Sequence, residues 1–358
     1  MTTPAKIRVL IVDDSALMRK MLTSILSEDP EIEVVGAAPD PYVAREEIKA
    51  LNPDVVTLDV EMPHMNGIEF LRKIMELRPT PVVMISTLTQ AGAETTLEAL
   101  EIGAVDFVAK PADAGAMAHL GGELIPKVKA AARTRVRRRT APPRRPQRQT
   151  WNTTHATSDK IIAIGSSTGG VEALKALLME LPPDVPPILI AQHMPERFTA
   201  AFAHRLDGEC PMRVCEAANQ QPIEGGHVYI APGAHHLELE RRGGKYYCSL
   251  NDGPLTSGHR PSVDVLFLSV ARTAGRNAVG VILTGMGKDG ANGLLAMRKA
   301  GATTLGQDES TSLVYGMPRV AYEIGAVSRQ YPLLALPDAI IAACSTAKTS
   351  QTVAAARS

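Results

Sequence analysis

Ile161-Ile162-Ala163-Ile164-Gly165-Ser166-Ser167-Thr168-Gly169-Gly170 is the stretch around which the rest of the chain can be read. A short apolar run of this kind predicts a buried strand. It ends in a glycine-serine turn, after which Val171, Leu174, Leu177, Leu178 and Leu181 recur at helical spacing. Strand, tight turn and helix place a serine at the carboxyl end of a strand and beside a helix N-terminus, where free N–H groups and the positive dipole end favour an anion. Gly165-Ser166-Ser167-Thr168-Gly169 also fits the G-x-S-x-G elbow, which exposes a nucleophilic serine on such a turn. Taken alone, a plain glycine-rich turn explains the run equally well.

A chain of 358 residues suggests two domains, and 45% hydrophobic content is ample for packed cores. The net charge of zero is unevenly spread. Residues 126–158 hold ten Lys/Arg and no Asp or Glu, which leaves 28 basic against 38 acidic residues elsewhere. The four cysteines, Cys210, Cys215, Cys248 and Cys344, contain no C-x-x-C pair and support neither a disulfide framework nor a zinc site. The six-residue apolar run at the N-terminus gives way to Asp13-Asp14, too early for a signal peptide or a membrane span, so a soluble cytoplasmic protein is expected.

The first part reads as alternating strands and helices. Strands are expected at Ile7–Val12, Ile32–Gly36, Val55–Leu58, Val82–Ile85 and Val105–Ala109, with helical patterns between them. Units of this length mean a doubly wound parallel sheet, whose site lies beyond the carboxyl ends of its strands. Those ends carry Asp13, Asp14, Asp59, Ser86 and Lys110. Converging carboxylates repel one another, and a divalent cation relieves this. Magnesium suits a few carboxylates plus waters. Lys110 would meet an anion arriving there, so the pocket could accept a phosphoryl group on a carboxylate.

Val12-Asp13-Asp14-Ser15, Leu58-Asp59-Val60-Glu61-Met62-Pro63, Asn66-Gly67, Ser86 and Phe107-Val108-Ala109-Lys110-Pro111 closely resemble a response-regulator receiver domain. The resemblance implies that Asp59 is the phospho-acceptor. It implies that Asp14, Asp59 and the Glu61 carbonyl hold Mg²⁺, with Asp13 in the same cluster. Ser86 and Lys110 would contact the phosphoryl group, and Phe107 would be the aromatic that switches rotamer. Asn66 stands where the family usually has Asp, and either residue caps the following helix.

Residues 126–158, with Arg133 to Arg148 among prolines and then a threonine-rich run, read as a basic extended linker. Nucleic-acid binding is the sharper reading of such a run, but Trp151 is its lone aromatic and both flanking parts are acidic, so no nucleic-acid partner is expected.

The second part is a further α/β sheet with an inserted hairpin through Arg241-Arg242-Gly243-Gly244. Ser167, His193 and Asp289 each follow the carboxyl end of an expected strand and would open onto one edge of one parallel sheet. A serine needs a base, imidazole is the base poised near neutrality, and the base needs a carboxylate to fix its tautomer. The chain order Ser, His, Asp is not that of the α/β-hydrolases, which run Ser, Asp, His. His235, His236 and His259 are other candidate bases, and Asp264 and Asp308 other candidate orienters. Gly285-Met286-Gly287-Lys288 is followed by Asp and fails as a Walker loop, and no H-x-x-x-H pair supports a zinc hydrolase.

Ile164–Gly170, Gln192-His193-Met194-Pro195, Tyr229–Gly233, His259–Asp264 and Leu283–Gly290 resemble the CheB family of chemotaxis receptor methylesterases. The resemblance implies two doubly wound parallel-sheet domains: a flavodoxin-like receiver over 1–125, the linker over 126–158, a Rossmann-like methylesterase domain with a hairpin insertion over 159–346, and a flexible tail over 347–358. It implies hydrolysis of glutamate γ-methyl esters and deamidation of glutamines on methyl-accepting chemotaxis receptors. Ser167 would be nucleophile, His193 base and Asp289 orienter, with Thr168, Gly169 and Met286 around the oxyanion and substrate. Mg²⁺ would serve the receiver and no cofactor the esterase. A chemotaxis histidine kinase would be the phosphodonor, and the enzyme would sit peripheral to receptor arrays without entering the membrane. A response regulator whose second domain only binds a partner is argued against by the Ser/His/Asp placement. A DNA-binding regulator is argued against by the strands running from Ile161 to Thr303.

Overall fold

The computed structural model describes residues 5–63, 65–87, 89–111, 114–134 and 160–345. Most of the basic segment read as a linker, and the tail, lie outside the described residues.

In the first domain β1 (Ile7–Val12), β2 (Ile32–Ala38), β3 (Val55–Asp59), β4 (Val82–Ser86) and β5 (Asp106–Ala109) alternate with α1 (Ala16–Ser27), α2 (Pro41–Leu51), α3 (Gly67–Leu77), α4 (Gln90–Ile102) and α5 (Ala114–Ala132). The strands pair in parallel in the order β2-β1-β3-β4-β5, the flavodoxin-like arrangement. Helices cover both faces of such a sheet, which is why every residue of β3 and β4 is buried and both are largely apolar up to the polar residue that ends each, Asp59 and Ser86. The helices start where the sequence caps them. Ser15 accepts from the Met18 N–H at 3.3 Å, Asp40 from Tyr42 at 2.8 Å and Asn66 from Glu69 at 2.9 Å. Asn66 thus caps α3, as either residue would. Helix α5 continues through the alanines at 130–132, so the basic segment begins on a helix.

The second domain runs β6 (Ile161–Ser166), α6 (Gly170–Leu178), β7 (Ile188–Gln192), α7 (Glu196–Glu209), β8 (Arg213–Glu216), β9 (His227–Ile230), β10 (His236–Arg242), β11 (Lys245–Asn251), α8 (Val263–Thr273), β12 (Ala278–Ile282), α9 (Ala291–Lys299), β13 (Thr303–Gln307), α10 (Met317–Glu323), β14 (Arg329–Tyr331) and α11 (Leu336–Cys344). Seven strands form one parallel sheet in the order β14-β13-β12-β6-β7-β9-β8. The antiparallel pair β10-β11 stands apart as the expected hairpin. It turns on Gly243 and Gly244, whose positive φ of 54° and 82° an L side chain would resist. The sequence pattern alone does not separate out β8, β14, α10 or α11. β8 and β14 are short, carry charge and lie on the two sheet edges, where half-burial erases the apolar run that marked the central strands.

β6 lies at the centre of this sheet. The chain leaves it toward β7 on one side and returns on the other side as β12, so a crevice opens where the strand order reverses. Two glycines let the elements close around that crevice. A Cβ on Gly165 would lie 2.1 Å from Val263 Cγ1, and one on Gly285 would lie 2.3 Å from Met317 Sδ and 2.8 Å from Ser167 Cβ. The two domains share an apolar cluster in which Leu97, Leu100 and Phe107 of the receiver are buried with Leu174, Phe198 and Phe202. All four cysteines are free, and burial pushes the Cys248 and Cys344 thiols up to about 12.

Gly165→Ala forces α8 away from β6 and is expected to cost about 1–3 kcal/mol by overpacking. A urea midpoint equal to the parent's would show that the contact yields freely.

Candidate active site

Each of the three residues singled out from the sequence ends a strand of the second sheet or follows one. Ser167 comes directly after β6. Its N–H donates to the Thr284 carbonyl at 3.1 Å and its own carbonyl accepts from Gly170 at 2.7 Å, which fixes the turn. His193 comes directly after β7, with its N–H on the Ser166 carbonyl at 3.2 Å. Asp289 lies beyond β12, and its Oδ2 is 2.8 Å from His193 Nε2. Ser167 and His193 line one cavity of 340 Å³. Met286, Asp289 and His259 line a larger neighbouring cavity of 1410 Å³.

Asp289 is 1% exposed, and a bare buried carboxylate would take up a proton. Here Oδ1 accepts from the Ser262 hydroxyl at 2.8 Å and from the N–H groups of Asp264 and Gly290 at 3.0 Å, while Oδ2 accepts from the Val263 N–H at 2.7 Å. Val263 and Asp264 open α8, so the carboxylate sits on a helix N-terminus. Burial pushes its pKa up, but His193 and these donors outweigh burial and hold it below the usual carboxylate range. An anionic Asp289 requires His193 to carry its proton on Nε2. The other nitrogen, Nδ1, is buried and has no hydrogen-bond partner among the described residues, so its lone pair is the free base in the crevice.

The rival residues are occupied elsewhere. His235 pairs with Asp252. His236 is held between the Ser262 N–H at 3.1 Å and the Pro254 carbonyl at 3.0 Å. Asp264 accepts from Gly293 at 2.7 Å, and Asp308 caps its own loop through Thr311. His259 does reach the site. Its ring stacks on His193 with centroids 3.7 Å apart and planes 13° apart. Burial, followed by the neighbouring His193, lowers its pKa to about 4, so it is neutral near pH 7. The N–H groups of Thr168 and Met286 donate to no protein acceptor among the described residues and are available to an oxyanion.

Sequence reasoning passed over Gln192, the last residue of β7. Its buried amide donates to the Ser167 carbonyl at 3.1 Å and the His193 carbonyl at 3.0 Å, and it accepts from the Ser166 hydroxyl at 2.6 Å. The available signal was a polar residue ending an otherwise apolar strand beside the candidate base.

The receiver pocket gathers Asp13, Asp14 and Asp59, whose carboxylate oxygens lie within 4.8 Å of one another. Lys110 Nζ is 2.7 Å from Asp59 Oδ2 and 3.5 Å from Asp13 Oδ2. Burial, with the charge of Asp13 adding to it, raises Asp59 to about 6 against the pull of Lys110. Asp13 Oδ2 is buried with no hydrogen bond among the described residues, so this cluster of oxygens fits a hard divalent cation. Ser86 is turned away from the carboxylates: its hydroxyl accepts from Thr96 at 2.7 Å and donates to the Gly92 carbonyl at 3.3 Å.

Receiver residues wall the cavity that holds Ser167. Asp106 accepts from the hydroxyl of Thr168, next to the candidate nucleophile. Phe107 stacks on Phe198 of α7 with centroids 4.5 Å apart. Glu101 on α4 pairs with both Lys175 and Arg205 of the second domain.

A receiver pocket set against a doubly wound domain with a His-Asp pair in its crevice defines a response regulator with a hydrolytic output domain. Residues 162–340 match the CheB methylesterase model and residues 9–120 the response regulator receiver domain model. The chain is 60% identical, over 94% of its length and 98% of the relative's, to a protein-glutamate methylesterase/protein-glutamine glutaminase of Caulobacter vibrioides. It is 53% identical to one of Thiobacillus denitrificans, covering 94% of this chain and 96% of that one. The crystal structure of the Thermotoga maritima CheB methylesterase catalytic domain superposes with a TM-score of 0.50 at 38% identity, covering 51% of this chain and 97% of that one. The chain belongs to the CheB methylesterase family.

His259 faces His193, Asp289 and Lys127. The unfolded chain binds the His259 proton near 6.5 and the folded one only near 4, so stability falls as pH drops through that window. His259→Phe keeps a stacking ring that cannot titrate. Its urea midpoint is expected to fall less than the parent's between about pH 7.5 and about pH 5; equal falls would count against the shift.

Proposed function

We propose that the chain is a phosphorylation-controlled protein-glutamate methylesterase and protein-glutamine glutaminase in which Ser167 is the nucleophile, His193 the general base and Asp289 its orienter. The observation that carries this reading is the His193–Asp289 pair, with Nδ1 left unpaired in the crevice where β6 delivers Ser167.

Ser167 Oγ attacks the γ-carbonyl of a glutamate methyl ester as His193 Nδ1 takes its proton. The resulting imidazolium is stabilised by Asp289, and the tetrahedral oxyanion by N–H groups of Thr168 and Met286, with Gly169 keeping the turn open. Collapse breaks the C–O bond to the methoxy group, which leaves as methanol with the proton from His193. Water then adds to the acyl-enzyme by the same route and frees the glutamate carboxylate. A glutamine enters the cycle identically and loses ammonia.

In the receiver, Asp59 is the phospho-acceptor and Lys110 the cation that meets the phosphoryl oxygens. Asp13, Asp14, Asp59 and the Glu61 carbonyl would hold Mg²⁺, which when bound neutralises charge on the transferring group. The docked receiver closes the Ser167 cavity to a receptor segment. Phosphorylation would draw Ser86 from its bonds to α4 and move Phe107 off Phe198, weakening docking. Methyl-accepting chemotaxis receptors are the proposed substrates and a chemotaxis histidine kinase the phosphodonor, with the enzyme peripheral to receptor arrays in the cytoplasm. No described helix is long and apolar enough to cross a membrane. The proposed receiver (1–125) and esterase (159–346) each enclose one family match, over 9–120 and 162–340, and the proposed linker (126–158) and tail lie outside both.

Methanol release from methyl-esterified receptor membranes, measured with a small phosphodonor, is expected from the parent and not from Ser167→Ala. Full release by Ser167→Ala would sink the assigned nucleophile. Asp59→Asn is expected to stay at the basal rate whether or not phosphodonor is added. A normal stimulation would move the phospho-acceptor elsewhere. Asp106→Ala, which cuts the tie to Thr168, should raise the unphosphorylated rate by about 5-fold or more; an unchanged basal rate would remove this contact from the inhibitory interface.

A further inference from the structure

The turn that carries Ser167 and the strand end that carries His193 are joined by one buried amide. Gln192 is 3% exposed. Its Nε2 spans the Ser167 carbonyl at 3.1 Å and the His193 carbonyl at 3.0 Å, while its Oε1 accepts from Ser166 at 2.6 Å. The amide has only one orientation here, because two carbonyl oxygens can be met only by its N–H donors. Both donors and one acceptor site are used, in a place with little water to substitute for them. The neighbouring glycine fits the same arrangement: a Cβ on Gly170 would lie 2.1 Å from Gln192 Oε1. Apart from this amide, the backbone tie between the two strand ends at this level is His193 N–H to the Ser166 carbonyl at 3.2 Å. Among the described residues, the His193 carbonyl has no other donor.

We infer that Gln192 is a positioning residue of the esterase: by clamping the Ser167 and His193 carbonyls to one planar group it sets the separation across which His193 Nδ1 takes the Ser167 proton. The inference rests on the Ser167/His193 reading above. The geometry separates this role from plain packing. The amide's polar atoms bond to the main chain of the two reacting residues and to the Ser166 hydroxyl, while the side chain also lines the Ser167 cavity. Loss of the clamp lets the two strand ends drift relative to each other, and a misplacement of about 1 Å at a reacting pair costs about 100-fold in rate. Because Gln192 also lines the cavity, the two roles are told apart by the kinetic split: a lost clamp lowers kcat, whereas a lost wall contact raises KM.

The test uses the full chain with a small phosphodonor, a small glutamate methyl ester as substrate and a fluorophosphonate to count reactive sites. Gln192→Met keeps length and burial but offers no hydrogen bonds. Its kcat per titrated site is expected to fall about 100-fold, with KM within about twofold of the parent. Ser166→Ala, which removes only the hydroxyl on Oε1 and leaves both carbonyls clamped, is expected to keep kcat within about threefold. Should Gln192→Met fail to fold, Gln192→Asn is read in the same way, since its amide is one methylene too short to reach both carbonyls. A per-site kcat within about threefold of the parent, or a rise in KM at constant kcat, would overturn the proposal. Ser167→Ala is titrated in parallel: labelling of that variant would refute the nucleophile assignment itself, whatever the Gln192 variants show.

Discussion

A buried negative charge is expensive unless donors surround it, and the second domain is built around meeting that requirement at Asp289. Its carboxylate collects the first N–H groups of α8, the Ser262 hydroxyl, the Gly290 N–H and His193. To supply them, α8 must aim its N-terminus into the crevice. Gly165 must lack a side chain so that Val263 can reach β6, and Ser262 must be placed to cap the helix and donate at once. His236, pinned between Ser262 and Pro254, ties the hairpin region to the same point. One charge thereby orders the helix, the loop before it and the imidazole that depends on it.

The receiver meets this domain through the elements that sense its own pocket. β5 carries Phe107 to Phe198 and Asp106 to Thr168, and α4 carries Glu101 to Lys175 and Arg205. The same α4 holds the Ser86 hydroxyl through Thr96 and Gly92. A change at the Asp59 pocket and a change at the Ser167 cavity are therefore separated by one strand and one helix, with no long relay between them.

Much of this was legible in the sequence, for identifiable reasons. Central parallel strands are buried on both faces, so β1, β3, β6, β7 and β12 stood out as apolar runs. The residue just past each run is where chemistry is displayed, which is how Asp59, Ser167, His193 and Lys110 were found. Asp289 lay seven residues beyond Ile282 and was located by its turn of glycines. Edge strands such as β8 and β14 left no such mark. Nor could the sequence choose among His235, His236 and His259, because ring stacking on His193 joins residues 66 positions apart. Gln192 stands in the motif around His193 and ends an apolar strand, but its role could not be read there, because its bonds run to the main chain of residues 25 and 1 positions away. The contacts between the domains depend on docking, which periodicity does not encode.

If a phosphoryl group on Asp59 disfavours the packing of Phe107 against Phe198, then that packing disfavours the phosphoryl group by the same free energy, because the two equilibria form a closed cycle. The esterase domain is then a negative effector of its own activator. The tethered receiver would hold phosphate less well than the same receiver alone, and occupation of the Ser167 crevice by a receptor segment, by keeping the domains apart, would favour the phosphorylated form.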